Sequence, residues 1–170
     1  MHSKDIRHEH LTKACQLKSA ALGKWWEHEI ELVFRDMEEL YKFHSVRLYD
    51  TTTAGAFMPS TDGDYICMSN GSGILVEAKC SAKHSTLIAG ASSLIPKKQV
   101  LAHRLWARAK GRSLFLFASV GANRFEVWGG LYVAGCRVSG EKLVEAQGLL
   151  YSSPLTDGEF WRNMRGAFTC

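Results

Sequence analysis

The sequence predicts a single mixed α/β domain, and three observations carry that expectation. Apolar residues recur at helical period near the N-terminus, and the stretch from Pro96 to Gly111 carries helix start and stop signals. Short alternating or continuous apolar runs bounded by turn residues read as strands. The order is helix, three strands, helix, then strands, which packs as helices on a sheet. The chain has 170 residues, 46% of them hydrophobic, enough for a core that withdraws roughly 70% of the unfolded surface from water. No repeat, low-complexity tract or Pro-rich linker divides residues 1–170, so one domain is expected, with 1–20 an N-terminal extension that is partly mobile.

The first long helix is expected over Leu22 to Phe43. Trp26, Ile30, Val33, Met37 and Leu40 step by four, three, four and three, a single apolar stripe. "SVRLYD", Ser45 to Asp50, is the expected first strand, and "TTTAGAFMPST" a loop or flap. "DYICM" and "ILVEAKC" then pair as a hairpin, with Asn70-Gly71 as its turn signal. "IPKKQVLAHRLWARAKG" reads as a helix, with Pro96 in the first turn and Gly111 as the stop. "SLFLFASV" is a buried strand, "RFEVWGGLYVAGCRV" one or two more, and "DGEFWRNMRGAF" a short amphipathic helix.

Composition narrows the function. No run of 18 apolar residues exists, so neither a membrane span nor a membrane partner is expected. The polar N-terminus lacks an apolar signal core. Five scattered cysteines form no CxxC pair, which argues against a zinc ribbon or a disulfide framework. A reducing intracellular, cytoplasmic setting follows. Net charge is +4, but it is segregated: Ala78 to Phe125 contains no acid, while Lys83, Lys97, Lys98, Arg104 and Arg108 are among its many bases. The acids gather in "EHEIELVFRDMEEL", Glu27 to Leu40. One-signed surface of this kind suits a polyanion, and nucleic acid is the expected partner.

The hairpin carries the chemistry. Residues two apart in a strand share a face, about 6.6 Å apart, so Glu77 and Lys79 lie together while Val76, Ala78 and Cys80 point the other way. Pairing around Asn70-Gly71 brings Asp64, at the start of the partner strand, to the end where Glu77 lies. Two carboxylates so placed can hold a hard divalent cation through oxygen. An adjacent ammonium can orient a water and stabilise phosphate charge.

The pattern Pro59, Asp64, Glu77-Ala78-Lys79 resembles the PD-(D/E)xK nuclease superfamily, and within it most closely the RecU-type Holliday junction resolvases. The features shared with that family are a "DY" strand opening, a Gly-containing turn to "EAK", a lysine fifteen positions after the aspartate, the lead-in Pro59-Ser60-Thr61, a glutamine on the next helix (Gln99), and a Gly before an apolar strand. The similarity spans about Gly23 to Val120. It implies a restriction-endonuclease-like mixed central sheet flanked by helices. It also implies a Mg²⁺ site, for which Mn²⁺ would substitute, formed by Asp64, Glu77, the carbonyl of Ala78 and a first-helix glutamate. "GKWWE" offers Glu27 for that last position, with Glu31 in reserve. Lys79 would position the nucleophile and Gln99 would orient Lys79 or a phosphate. Lys83, Lys97, Lys98, Arg104 and Arg108 would follow the DNA backbone, giving salt-sensitive binding with little sequence preference. Asp62 is either a helper of the site or a turn residue.

The implied activity is paired cutting of branched DNA, the four-way junction, and two symmetric cuts require two sites and hence a homodimer. The family's longer stalk between the first two strands is reduced here to about ten residues, Asp50 to Pro59. Small size and short flap are compatible with a phage enzyme working in its host's cytoplasm. Two other readings stay open: a PD-(D/E)xK nuclease of restriction or repair type acting on other DNA, and a non-catalytic DNA-binding relative. Elsewhere, "HEH" (His8 to His10) has no third ligand spaced to help it, and Trp25 and Trp26 are expected in the core. Trp106 and His103 are open between DNA contact and packing. Cys67 and Cys80, on paired strands, are expected as neighbouring reduced thiols.

Overall fold

Strand pairing around the Asn70–Gly71 turn sets the frame. Both residues adopt left-handed backbone, φ 49° and 82°, which a two-residue hairpin turn requires and which Asn and Gly tolerate best. The structure, a computed structural model, describes residues 6–48, 63–89, 93, 95–156 and 158–169. Helices α1 (His8–Cys15) and α2 (Ser19–Leu40) precede β1 (Phe43–Arg47), β2 (Tyr65–Ser69) and β3 (Ser72–Ser81). Next come α3 (Lys97–Arg108), β4 (Arg112–Ser119), β5 (Arg124–Gly129), α4 (Gly130–Ser139), α5 (Glu145–Gly148), β6 (Leu149–Ser153) and α6 (Glu159–Thr169).

The six strands form one sheet in sequential order. β3 and β4 run parallel, joined through α3, and every other neighbouring pair is antiparallel. The fold is therefore mixed α/β, a mixed sheet flanked by helices. Apolar alternation gives each face its own core. Ile74, Val76, Leu114, Leu116, Phe125 and Val127 turn toward α1, α2 and α6, where Trp26 and Phe160 pack on Phe125. Phe115, Phe117 and Trp128 turn the other way, toward Val100 of α3 and Val133 of α4. Among the described residues no helix is long and apolar enough to cross a membrane.

Several expectations need correction. The long helix stops at Leu40, not Phe43: Tyr41 is extended, and Glu38 Oε1 accepts from the backbone N–H of Ser45 at 2.7 Å and from its hydroxyl, folding β1 back early. Phe43 then packs against Phe34 and Phe168. Accordingly β1 begins at Phe43 and ends at Arg47. The predicted flap, with Pro59 and Asp62, lies outside the described residues. Gly111 does not end α3; the helix stops at Arg108 and Lys110 takes the left-handed conformation, φ 63°. "GLYVAGCRV" is α4, not a strand, because Val133, Ala134 and Cys136 bury one helical face and Gly140, φ 78°, closes it. Within 1–20, α1 is a helix whose Leu11 and Ala14 are buried beside Ile6, and His8 to His10 form its exposed first turn. Cys67 opposes Ile74 in the register, so Cys67 and Cys80 are not cross-strand partners.

Candidate active site

The β2–β3 register, Tyr65 opposite Val76, leaves Asp64 one residue outside the ladder beside Glu77. Its backbone is fixed from both sides: its N–H donates to Val76 O at 2.9 Å, and its carbonyl accepts from Leu48 N–H at 2.8 Å. Its carboxylate turns onto β3, where Oδ2 accepts the Ala78 N–H at 2.7 Å. Asp64, Glu77 and Ala78 thus meet at one corner of the sheet.

Glu77 is fully buried on the face covered by α3. Its Oε1 accepts from the Lys79 ammonium, its Oε2 is buried, and the carboxyl shares a further side-chain hydrogen bond with Asp64. Burial, and next the charge of Asp64, push the Glu77 carboxyl up to about 8 despite the pull of Lys79. The Lys79 ammonium therefore meets a carboxyl that holds its proton more tightly than usual.

Glu27 approaches from α2 at the edge of this corner, where burial raises its pKa first and the charge of Asp64 adds to it. Its carboxylate is engaged by the Arg47 guanidinium, which also donates to Glu31 Oε1 at 2.9 Å. Tyr65 donates its hydroxyl to the Glu27 carbonyl at 3.3 Å, tying helix to strand. Among the described residues no three His, Cys, Asp or Glu side chains already stand in a geometry that could hold a metal. Asp64 and Glu77 are the acids that converge, and Glu27 is turned to Arg47. These two acids are the oxygen donors that could hold a hard divalent ion.

Gln99 lies on the inner face of α3, buried, its Oε1 without a partner. His103, one turn on, is fully buried and stacks on Phe115, ring centroids 4.3 Å apart, so it packs against the sheet rather than facing solvent. Lys97, Lys98, Arg104 and Arg108 are exposed along α3, and Lys83 is exposed in the turn after β3. As the crossover between parallel β3 and β4, α3 runs antiparallel to both, and Lys97 and Arg108 lie about 16 Å apart at helical rise.

Two contributors escaped the sequence reading, and for His103, open there between DNA contact and packing, the structure gives packing. Arg47 is brought in by tertiary packing. Glu126, fully buried, accepts from Leu87 N–H at 3.0 Å, Trp128 Nε1 at 2.9 Å and Arg124 Nε at 2.7 Å, pinning the segment that follows Lys79. An acid inside the apolar run "RFEVWG" was its one visible signal.

No protein-family model matches the chain, and no curated protein shows significant similarity to it.

Proposed function

We propose that this protein is a metal-dependent endodeoxyribonuclease of the PD-(D/E)xK type with a restriction-endonuclease-like fold, acting as a Holliday junction resolvase on four-way DNA. The observation that carries the reading is the meeting of Asp64, Glu77 and Lys79 at one sheet corner, with Glu77 fully buried.

Asp64 and Glu77 would hold Mg²⁺, with Mn²⁺ as substitute and Glu27 joining once released by Arg47. Bound there, the ion supplies Lewis acidity toward the scissile phosphate and lowers the pKa of the attacking water. Lys79 donates hydrogen bonds to the incoming water oxygen or a non-bridging phosphate oxygen. The water oxygen forms the new P–O bond, the bridging P–O bond breaks, and the leaving oxygen takes a proton. Lys97 and Lys98 bind flanking phosphates, and Arg104 and Arg108 extend that contact along α3. Paired cuts on opposite strands of a two-fold junction call for two copies of the site, hence a homodimer.

Replacing Lys79 by Met tests the chemistry. Binding of a labelled four-way junction in Ca²⁺ should persist within a few-fold while cutting in Mg²⁺ disappears. Full cutting by Lys79→Met would overturn the reading.

A further inference from the structure

Buried polar atoms without hydrogen-bond partners gather between α3 and the sheet: Gln99 Oε1, both ring nitrogens of His103 and Ser113 Oγ. Folded proteins rarely leave such groups unsatisfied, so a cluster of them marks a place where a partner arrives.

His103 is the centre of the cluster. Its ring is wholly enclosed and lies on Phe115, which is the cross-strand neighbour of Glu77. Burial, with a further push from the Lys79 ammonium, lowers its pKa to about 4. The imidazole is therefore neutral across the physiological range, with one nitrogen a donor and the other an acceptor. Which is which is set by what lies at each end. Nδ1 and Ser113 Oγ press on the same point: a Cβ at Gly130 would come within 2.8 Å of the first and 2.1 Å of the second. Ser113 Oγ can accept from Nδ1–H, and that tautomer leaves the Nε2 lone pair open. Gln99 Oε1, one helical turn earlier on α3, is a second open acceptor.

Lys79 has three N–H donors and is at present committed to Glu77, the same carboxyl that a divalent ion would take. Two cations cannot share that buried acid at close range without repulsion. The ammonium then needs other acceptors, or it swings out to water and away from the phosphate.

We propose that His103 is a positioning residue for Lys79: when a divalent cation engages Glu77, the Nε2 lone pair of His103, with Gln99 Oε1, receives the Lys79 ammonium and keeps it at the reacting phosphate. The inference rests on the nuclease reading and adds to it a residue that touches neither metal nor DNA.

The test joins a spectroscopic readout to kinetics. In the full-length protein without DNA, Mg²⁺ is titrated while the imidazole ¹⁵N resonances of His103 are followed. Mg²⁺ prefers oxygen ligands, so the acceptor-nitrogen signal should move upfield through Lys79 alone, and Lys79→Met should abolish the movement. In cleavage assays His103→Phe, which keeps the ring stack, should lose about 10- to 100-fold in kcat with KM little changed. His103→Gln, which restores an acceptor, should recover much of that loss. If calorimetry shows Mg²⁺ binding and the His103 signal stays still, the role is wrong, even should His103→Phe fail to fold. Wild-type turnover by His103→Phe would likewise remove the role and leave the nuclease reading standing. A wild-type protein that neither binds Mg²⁺ nor cuts DNA removes both.

Discussion

Asp64 Oδ2 accepts the backbone N–H of Ala78 at 2.7 Å, so a side chain at the mouth of β2 is locked to the strand that carries Glu77 and Lys79. The same carboxylate also meets the Glu77 carboxyl, so it serves the fold and faces the site at once. Asp64→Asn keeps an acceptor for Ala78 and loses the charge, so its Tm should stay close to wild type while cutting is lost. Asp64→Ala removes the acceptor as well and should cost about 2 kcal/mol of stability, as loss of a hydrogen bond to a charged group does. Thermal unfolding of the two variants side by side separates the roles.

The buried Glu77 makes the metal-free protein pH-sensitive. Its carboxyl titrates near 8 when folded, against an ordinary 4.5. Between those values the unfolded chain has released the proton and the folded chain retains it. Stability from this group is therefore complete below about pH 4.5 and declines as pH rises toward 8. Glu77→Gln should flatten this part of the Tm–pH curve. Mg²⁺ binding to the wild type near pH 7 should release protons, measurable as a buffer-dependent calorimetric heat.

Arg47 holds Glu27 and Glu31 together on one side of α2. Arg47→Met leaves two half-buried carboxylates repelling each other and should lower stability by about 1 kcal/mol. Because the guanidinium competes for Glu27, the same variant should bind Mn²⁺ more tightly than wild type in calorimetry.

The parts of this architecture that were legible are those written in local signals. α2 and α6 follow from apolar period, and the hairpin from Asn70-Gly71. The convergence of Asp64 with Glu77 and Lys79 follows from the two-residue period of strands once that turn fixes the register. α4 was not legible, because Val133, Val138 and Tyr132 in a Gly-rich apolar run have strand character, and the helix is chosen by packing of Gly130 against Ser113 and His103. Arg47 and His103 were missed as site neighbours for a related reason. Each meets its partners only when consecutive elements fold back on one another, α2 on β1 and α3 on β4, and no period within a single element encodes that.

Gly130 itself offers a check on this packing. A Cβ there would lie 2.8 Å from the Ser113 backbone carbonyl carbon and 2.1 Å from Ser113 Oγ, closer than real contacts allow. Gly130→Ala should destabilise by about 1–3 kcal/mol through overpacking, while Gly135→Ala, open around its Cα, should not. Denaturant midpoints of the two variants decide it.

The central claim is that Asp64, Glu77 and Lys79 form a metal-dependent DNA-cutting site, and a panel of end-labelled four-way, flapped and linear DNAs incubated with Mg²⁺ or Mn²⁺ tests it most directly. The expected result is paired symmetric nicking of the four-way junction by the wild type and none by Asp64→Asn. Efficient cutting of linear duplex would contradict junction selectivity, and failure to cut any of the DNAs with either ion would contradict the claim itself.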